Sequence, residues 1–254
     1  MADKSSIEWT DATWNPVTGC TKITAGCDNC YAARFSERFR GVPGHPFANG
    51  FDLTLKPHRL VQPLTWKRPR MIFVNSMSDL FHKDIAKDYI AKVFDTMEAA
   101  DWHIYQVLTK RSSLLQRFIN ERYNDRAAPK HMWFGVSIEN AKSSARIGHL
   151  QKANASVRFL SVEPLIGPVG RLNLDGISWV IAGGESGPGA RPMDARWVID
   201  IRNQCVRAKV AFFFKQWGGR TPKAGGRLLE GKEWNQFPMK LPATVASSNH
   251  WAAL

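Results

Sequence analysis

From residue 70 onward, short apolar runs alternate with longer amphipathic stretches. The runs 71–75, 104–108, 132–137, 157–162, 179–182 and 210–214 have strand length and carry apolar residues on both faces. Between them lie 84–100, 112–122, 141–153 and 193–207, where apolar residues recur at three and four, as in Ile85, Tyr89, Val93 and Met97. Doubly buried strands separated by helices predict a parallel sheet with right-handed crossovers. Six such strands, with a seventh near 7–9, predict an α/β fold. The expected form is a complete or partial (β/α) barrel of six to seven parallel strands, and a doubly wound open sheet is the alternative. The first 65 residues are irregular and punctuated by Gly41, Pro43, Gly44, Pro46, Gly50, Pro57 and Pro63. One domain over 1–220 is expected. The remainder, 221–254, reads as a polar, turn-rich extension that could serve as a lid or an exposed arm.

In parallel α/β folds, chemistry gathers where the chain leaves each strand. The predicted exits carry Asn75, Ser76, Ser78 and Asp79, then Lys110 and Arg111, then Glu139. Glu163 follows, then Gly183, Gly184 and Glu185, and finally Lys215 with Trp217. Loops are polar anyway, so a single exit says little. Six in succession, four with carboxylates, form a candidate ring: Asp79, Glu139, Glu163, Glu185 and Lys215 as catalytic groups, with the flanking Asn, Ser and Gly residues as cofactor contacts.

Three of the four cysteines, Cys20, Cys27 and Cys30, fall within GCTKITAGCDNC. A C-x6-C-x2-C loop offers three soft thiolates, which select zinc or iron–sulfur over hard cations. A closed zinc site needs a fourth ligand, for which His45, His58 and Cys205 are the available residues. Cys205 lies among Ile199, Ile201, Val206 and Val210 and reads as a core thiol. Three cysteines alone suit a [4Fe–4S] cluster with one open iron.

Charge adds a partner. The 254 residues hold 35 Lys and Arg against 22 Asp and Glu, a net +13, which favours polyanions and nucleic acid first. Segments 56–70 and 209–227 concentrate much of this charge beside aromatic residues. Among ten tryptophans, Trp14 and Trp217 stand nearest the expected site, where an indole could stack on a base. No apolar run approaches the roughly 18 residues of a membrane span, and the start lacks a signal-peptide layout. Few cysteines and no leader predict a cytoplasmic protein. No G-x-S-x-G elbow and no phosphate-binding P-loop is present.

WNPVTGC, GCDNCYA, MSDLF after a strand, and VIAGGESG together resemble the phage Gp37/Gp68 family, over about residues 7–217. That family resembles radical S-adenosylmethionine (SAM) enzymes, with a partial (β/α) barrel and a three-cysteine cluster loop. The resemblance implies that Cys20, Cys27 and Cys30 ligate a [4Fe–4S] cluster whose open iron chelates SAM for reductive cleavage to a 5′-deoxyadenosyl radical, with an electron donor. It also departs from that pattern. The usual spacing is C-x3-C-x2-C with an aromatic before the third cysteine, where Asn29 stands here. The Gly-Gly-Glu element, which normally follows the second strand, here ends a later one.

The leading expectation is therefore a radical SAM-like enzyme acting on nucleic acid or a modified nucleobase. One form is phage DNA hypermodification by isomerisation of a glycyl-thymidine type adduct. A zinc-containing nucleic-acid-binding protein without catalysis and an iron–sulfur DNA repair enzyme are the competing readings.

Overall fold

The computed structural model describes residues 5–239. In chain order the strands are β1 (Ala12–Trp14), β2 (Val17–Thr18), β3 (Thr54–Leu55), β4 (Met71–Val74), β5 (Ile104–Thr109), β6 (Met132–Ser137), β7 (Val157–Val162), β8 (Trp179–Gly183) and β9 (Ala211–Gln216). The helices are α1 (Tyr31–Glu37), α2 (Gln62–Thr65), α3 (Lys87–Ala99), α4 (Ser112–Arg122), α5 (Ala145–Gln151) and α6 (Ala195–Ala208). Seven strands form one sheet in the order β1-β4-β5-β6-β7-β8-β9, all parallel, while β2 and β3 pair as a separate antiparallel ribbon. The order never reverses. A doubly wound sheet needs a reversal at its switch point, so this sheet curls one way into a half-barrel flanked by helices.

Side chains alternate across each strand. Ile72, Val74, Tyr105, Val107, Phe134 and Val136 pack with the helices in the larger core, which includes Tyr89, Ile90, Val93, Phe94 and Met97 of α3. Those α3 positions recur at three and four, the spacing read from the sequence. The β7–β8 crossover has no helix; Leu165, Val169, Leu172 and Ile177 fill that stretch of the core instead. Asp194 caps α6 by accepting from the Arg196 amide at 2.8 Å, and Lys209 closes it in the left-handed region.

The concave face holds a second core of Trp9, Phe73, Trp133, Phe159, Trp179 and Phe213. Trp179 lies at its centre, with ring centroids 5.9 Å from Trp133, 5.8 Å from Phe159 and 6.2 Å from Trp9. This plug accounts for several of the tryptophans and fills the concave face on the amino side of the strand exits. Trp179→Ala should cost about 3–5 kcal/mol by deleting the centre of the plug. Urea unfolding of the variant checks this, and a loss below about 1 kcal/mol would show the plug to be loosely packed.

Two expectations change here. The seventh strand is not at 7–9, which is a turn; it is Ala12–Trp14. Trp9 spends its side chain on the plug, and Thr10 and Asp11 bond the Met71 backbone at 3.0 and 2.9 Å, which sets the start of pairing just after them. Nor do residues 221–239 form a free arm. Residues 234–237 run along β9: Phe214 donates to the Trp234 carbonyl, Gln236 exchanges bonds with Phe212, and Phe237 packs on Trp179 at 5.0 Å. A sheet edge left bare invites pairing with other chains, and this segment covers it. The rest of the expected extension, 240–254, lies outside the described residues. Among the described residues no helix is long and apolar enough to cross a membrane.

Candidate functional site

The insertion between β1 and β4 brings the cysteine loop over the carboxyl edge of the half-barrel. Asn15 guides it there. Its Oδ1 accepts from the Met77 amide at 2.9 Å and its amide donates to Ser76 Oγ at 3.2 Å, so the turn after β1 is tied to the exit of β4. Ser78 donates to the Val17 carbonyl at 2.9 Å, and Gly19 bridges to Ser78 just before Cys20. Ser76 and Ser78 thus fasten the loop's root. The Ser76 carbonyl also accepts from the Tyr31 hydroxyl.

The four carboxylates expected at the strand exits do line one rim, and each meets a cation from a neighbouring segment. Asp79 after β4 pairs with Arg111 after β5 at 2.9 Å. Glu139 after β6 pairs with Lys110 at 2.8 Å and with Arg146 of α5 at 3.0 Å. Glu163 after β7 pairs with Lys215 of β9 at 3.3 Å. Glu185 after β8 pairs with Arg191 at 2.5 Å. β8 separates β7 from β9, and Gly183 makes the Glu163–Lys215 pair possible: a Cβ there would stand 2.7 Å from Glu163 Oε1. Gly184 has a parallel reason, since a Cβ would stand 2.0 Å from the Trp217 carbonyl oxygen. The glycines of the Gly-Gly-Glu run therefore serve close approach.

Three of these pairs also grip the cysteine loop. Thr24 donates to Glu139 Oε1 at 2.9 Å, and Gly26 lies so close to the Glu139 side chain that a Cβ would clash. Asn29 donates to Glu185 Oε2 at 2.8 Å, while Arg191 donates to the Ala25 carbonyl at 2.9 Å. Arg111 donates to the Thr21 carbonyl and hydroxyl at 3.1 and 3.0 Å and lies 3.4 Å from Cys20 Sγ. Thr21 also meets His82 at 2.8 Å. Arg146, Arg191 and Asn29 escape a reading of single exits, because what matters is which segment each pairs with, whereas Arg111 stands among the expected exit residues and meets a carboxylate there. The neighbouring G-P-G-A-R run after Glu185 is the only sequence sign of Arg191.

Burial opposes ionisation of Glu139, yet Lys110, Arg146 and Thr24 together hold its carboxyl below the usual range. Glu185 is lowered likewise: burial works against it and Arg191 with Asn29 outweighs burial. Burial raises the Cys20 thiol, with Arg111 pulling it back. Cys205 is fully buried, and burial pushes its thiol up to about 12, in keeping with a core residue.

Asn75 stands apart. It is 2% exposed, adopts a left-handed φ of 59°, and neither its Oδ1 nor its Nδ2 has a hydrogen-bond partner among the described residues. A strained backbone carrying an unsatisfied buried amide is costly, and such costs persist at ligand sites. Trp14, by contrast, is removed from the site. It is fully buried in the helix-side core, 6.1 Å from Tyr105, with its indole N–H donated to Arg59 at 2.7 Å, so it cannot stack on a ligand. Trp217 is half-buried, bonded to the Leu228 carbonyl and packed on Phe214. Lys67, Arg68 and Arg70 of the basic segment lead into the amino end of β4, opposite the rim.

Among the described residues no three Cys, His, Asp or Glu side chains converge into an assembled metal site. The donor set nevertheless suits a soft metal. Cys20, Cys27 and Cys30 are free and partly exposed, and Cys20 and Cys30 line one open recess of about 680 Å³. His45 is stacked on Phe39 at 3.8 Å and accepts from the Phe47 amide, so it is engaged elsewhere.

The family model described as "Protein of unknown function (DUF5131)" matches residues 4–238. The chain belongs to that family. No curated protein and no solved structure matches it. The match runs from before β1 to the segment that covers β9, so the family's unit includes the cysteine insertion, the rim and the edge strap together.

Proposed function

We propose that this DUF5131 protein is a radical SAM-like iron–sulfur enzyme acting on nucleic acid or a modified nucleobase in the cytoplasm, supplied with electrons by a separate donor. The observation that carries the reading is three free cysteines held over the carboxyl edge of a parallel half-barrel, with a buried Asn75 at the exit of β4 whose side-chain amide has no hydrogen-bond partner among the described residues. Cys20, Cys27 and Cys30 would hold a [4Fe–4S] cluster, and the chemistry it supplies when bound is one-electron reductive cleavage of SAM. The chain's own residues do the rest. Asn75 offers an unspent amide donor and acceptor to the polar end of a ligand. The aromatic plug closes the concave face below the rim and leaves approach from the cysteine side. Glu163 Oε1 and Lys215 Nζ, 3.3 Å apart, can pass a proton to or from a bound substrate.

Anaerobic protein reconstituted with iron and sulfide, then given SAM and dithionite, should yield 5′-deoxyadenosine. Asn75→Leu should keep its iron and lose roughly ten- to hundredfold in that yield, the effect of about 1.5–3 kcal/mol for a charge-assisted bond. Full iron loading with no 5′-deoxyadenosine from the wild type defeats the reading. Stoichiometric zinc in place of iron and sulfide would make the loop a structural zinc site.

The net charge of +13 supports a polyanionic substrate. Duplex DNA binding should weaken with salt at a log–log slope near −4 to −5 if about five phosphates are touched. Charge reversal at the exposed loop residues Lys22 and Arg38 should flatten the slope by about 0.9 for each phosphate that is no longer neutralised. A flat wild-type titration would leave a free nucleotide as substrate.

A further inference from the structure

Arg111 reaches three different residues of the rim and the cysteine loop, and the arrangement is specific. Its Nη1 lies 2.9 Å from Asp79 Oδ2 and 3.4 Å from Cys20 Sγ, while its Nη2 donates to both the carbonyl and the hydroxyl of Thr21. The Arg111 and Asp79 side chains are each only 9% exposed. Asp79 is itself fixed, accepting from Thr109 Oγ1 at 2.7 Å and from the Lys110 amide at 3.2 Å. A rigid fork held by a buried carboxylate is thus aimed at one sulfur of the loop. Among the described residues neither Cys27 nor Cys30 has an arginine on its sulfur; the Cys27 sulfur meets the Thr24 hydroxyl at 3.8 Å.

We propose that Arg111 is a positioning residue that donates an N–H to Cys20 Sγ and so raises the reduction potential of the metal centre held by the three cysteines. This rests on the function proposed above. The physical basis is general. Reduction adds negative charge to a cluster and its thiolates, and a hydrogen bond or a cation at a ligating sulfur stabilises the reduced form more than the oxidised one. Asp79 acts in the opposite sense, because its charge offsets the guanidinium while its oxygens aim it. Lysine cannot reproduce the arrangement, since one ammonium lacks the planar fork that reaches Cys20, Asp79 and Thr21 together.

The test is a redox titration of the reconstituted protein followed by electron paramagnetic resonance, with iron and sulfide measured on each variant. Asp79→Asn removes the offsetting charge and should shift the potential upward. Arg111→Met combined with Asp79→Asn strands no buried carboxylate, should retain iron, and should shift the potential downward relative to Asp79→Asn alone. Arg111→Lys in the Asp79→Asn background should fall between Asp79→Asn and the Arg111→Met double variant. Opposite shifts from these two steps are not expected of a residue that merely holds the loop. Unchanged potentials in iron-loaded variants overturn this inference alone. A wild-type protein that takes up no iron and sulfide overturns the proposed function, and this inference with it.

Discussion

Protein carrying Cys27→Ala should stay colourless after anaerobic reconstitution with iron and sulfide, and so should Cys20→Ala and Cys30→Ala. Cys205→Ala should take up iron like the wild type. A three-thiolate set has no spare ligand, so each loss removes the centre. The fold should survive all three changes, because the loop is held by other groups: Thr24 on Glu139, Asn29 on Glu185, and Thr21 on Arg111. Far-ultraviolet circular dichroism and the melting temperature of the metal-free proteins should therefore match the metal-free wild type. Cys205→Ala is expected to show the reverse pattern, with iron retained and stability reduced by about 1 kcal/mol, since its side chain is fully buried beneath α6. Loss of iron in Cys205→Ala as well would mean four protein ligands, and the open-iron chemistry would fall with it.

The strands are legible in the sequence because each is a compact apolar run. The predicted bounds of 132–137 and 157–162 coincide with β6 and β7, and 112–122 with α4. Element type there follows from local pattern alone. β1 is less legible. It has three residues, and Trp9, the most apolar feature nearby, belongs to the plug and not to the strand. The strap along β9 escapes notice for a similar reason: residues 221–239 look polar and turn-rich, and it is Trp234, Gln236 and Phe237 that seat it. At the rim, the order of exits places Asp79, Glu139, Glu163 and Glu185 together without any knowledge of partners. What the sequence does not disclose is that three of the four are shared with the cysteine loop. Those bonds join positions 115 and 156 residues apart for Glu139 and Glu185, and no local spacing encodes such a pairing. Trp14 illustrates the limit in the other direction. Its proximity to Cys20 in sequence suggests a stacking role, whereas strand alternation turns it to the helix side.

Glu139 should be the most costly rim carboxylate to remove. It is 3% exposed at the side chain and serves Lys110, Arg146 and Thr24 at once. Glu139→Leu leaves the two cations without their carboxylate and should cost about 3–5 kcal/mol. Glu139→Gln keeps the size and an acceptor for Thr24, and should cost less, about 1.5–3 kcal/mol. The pH dependence follows from the direction of the shift. Its pKa is lower when folded than when unfolded, so the ion pairs stabilise the fold fully above the unfolded value, about 4.3, and that contribution disappears as pH falls through the folded value. The stability gap between wild type and Glu139→Gln in urea should be widest near pH 7 and narrow steadily below about pH 5. Glu185 titrates in the same direction and remains in both proteins, so it cancels from the comparison. Stability curves that run parallel from neutral to acid pH would mean that Glu139 gains nothing from its cations. In that case Thr24 and the packing of Gly26, not charge, would be what seats the cysteine loop on the half-barrel.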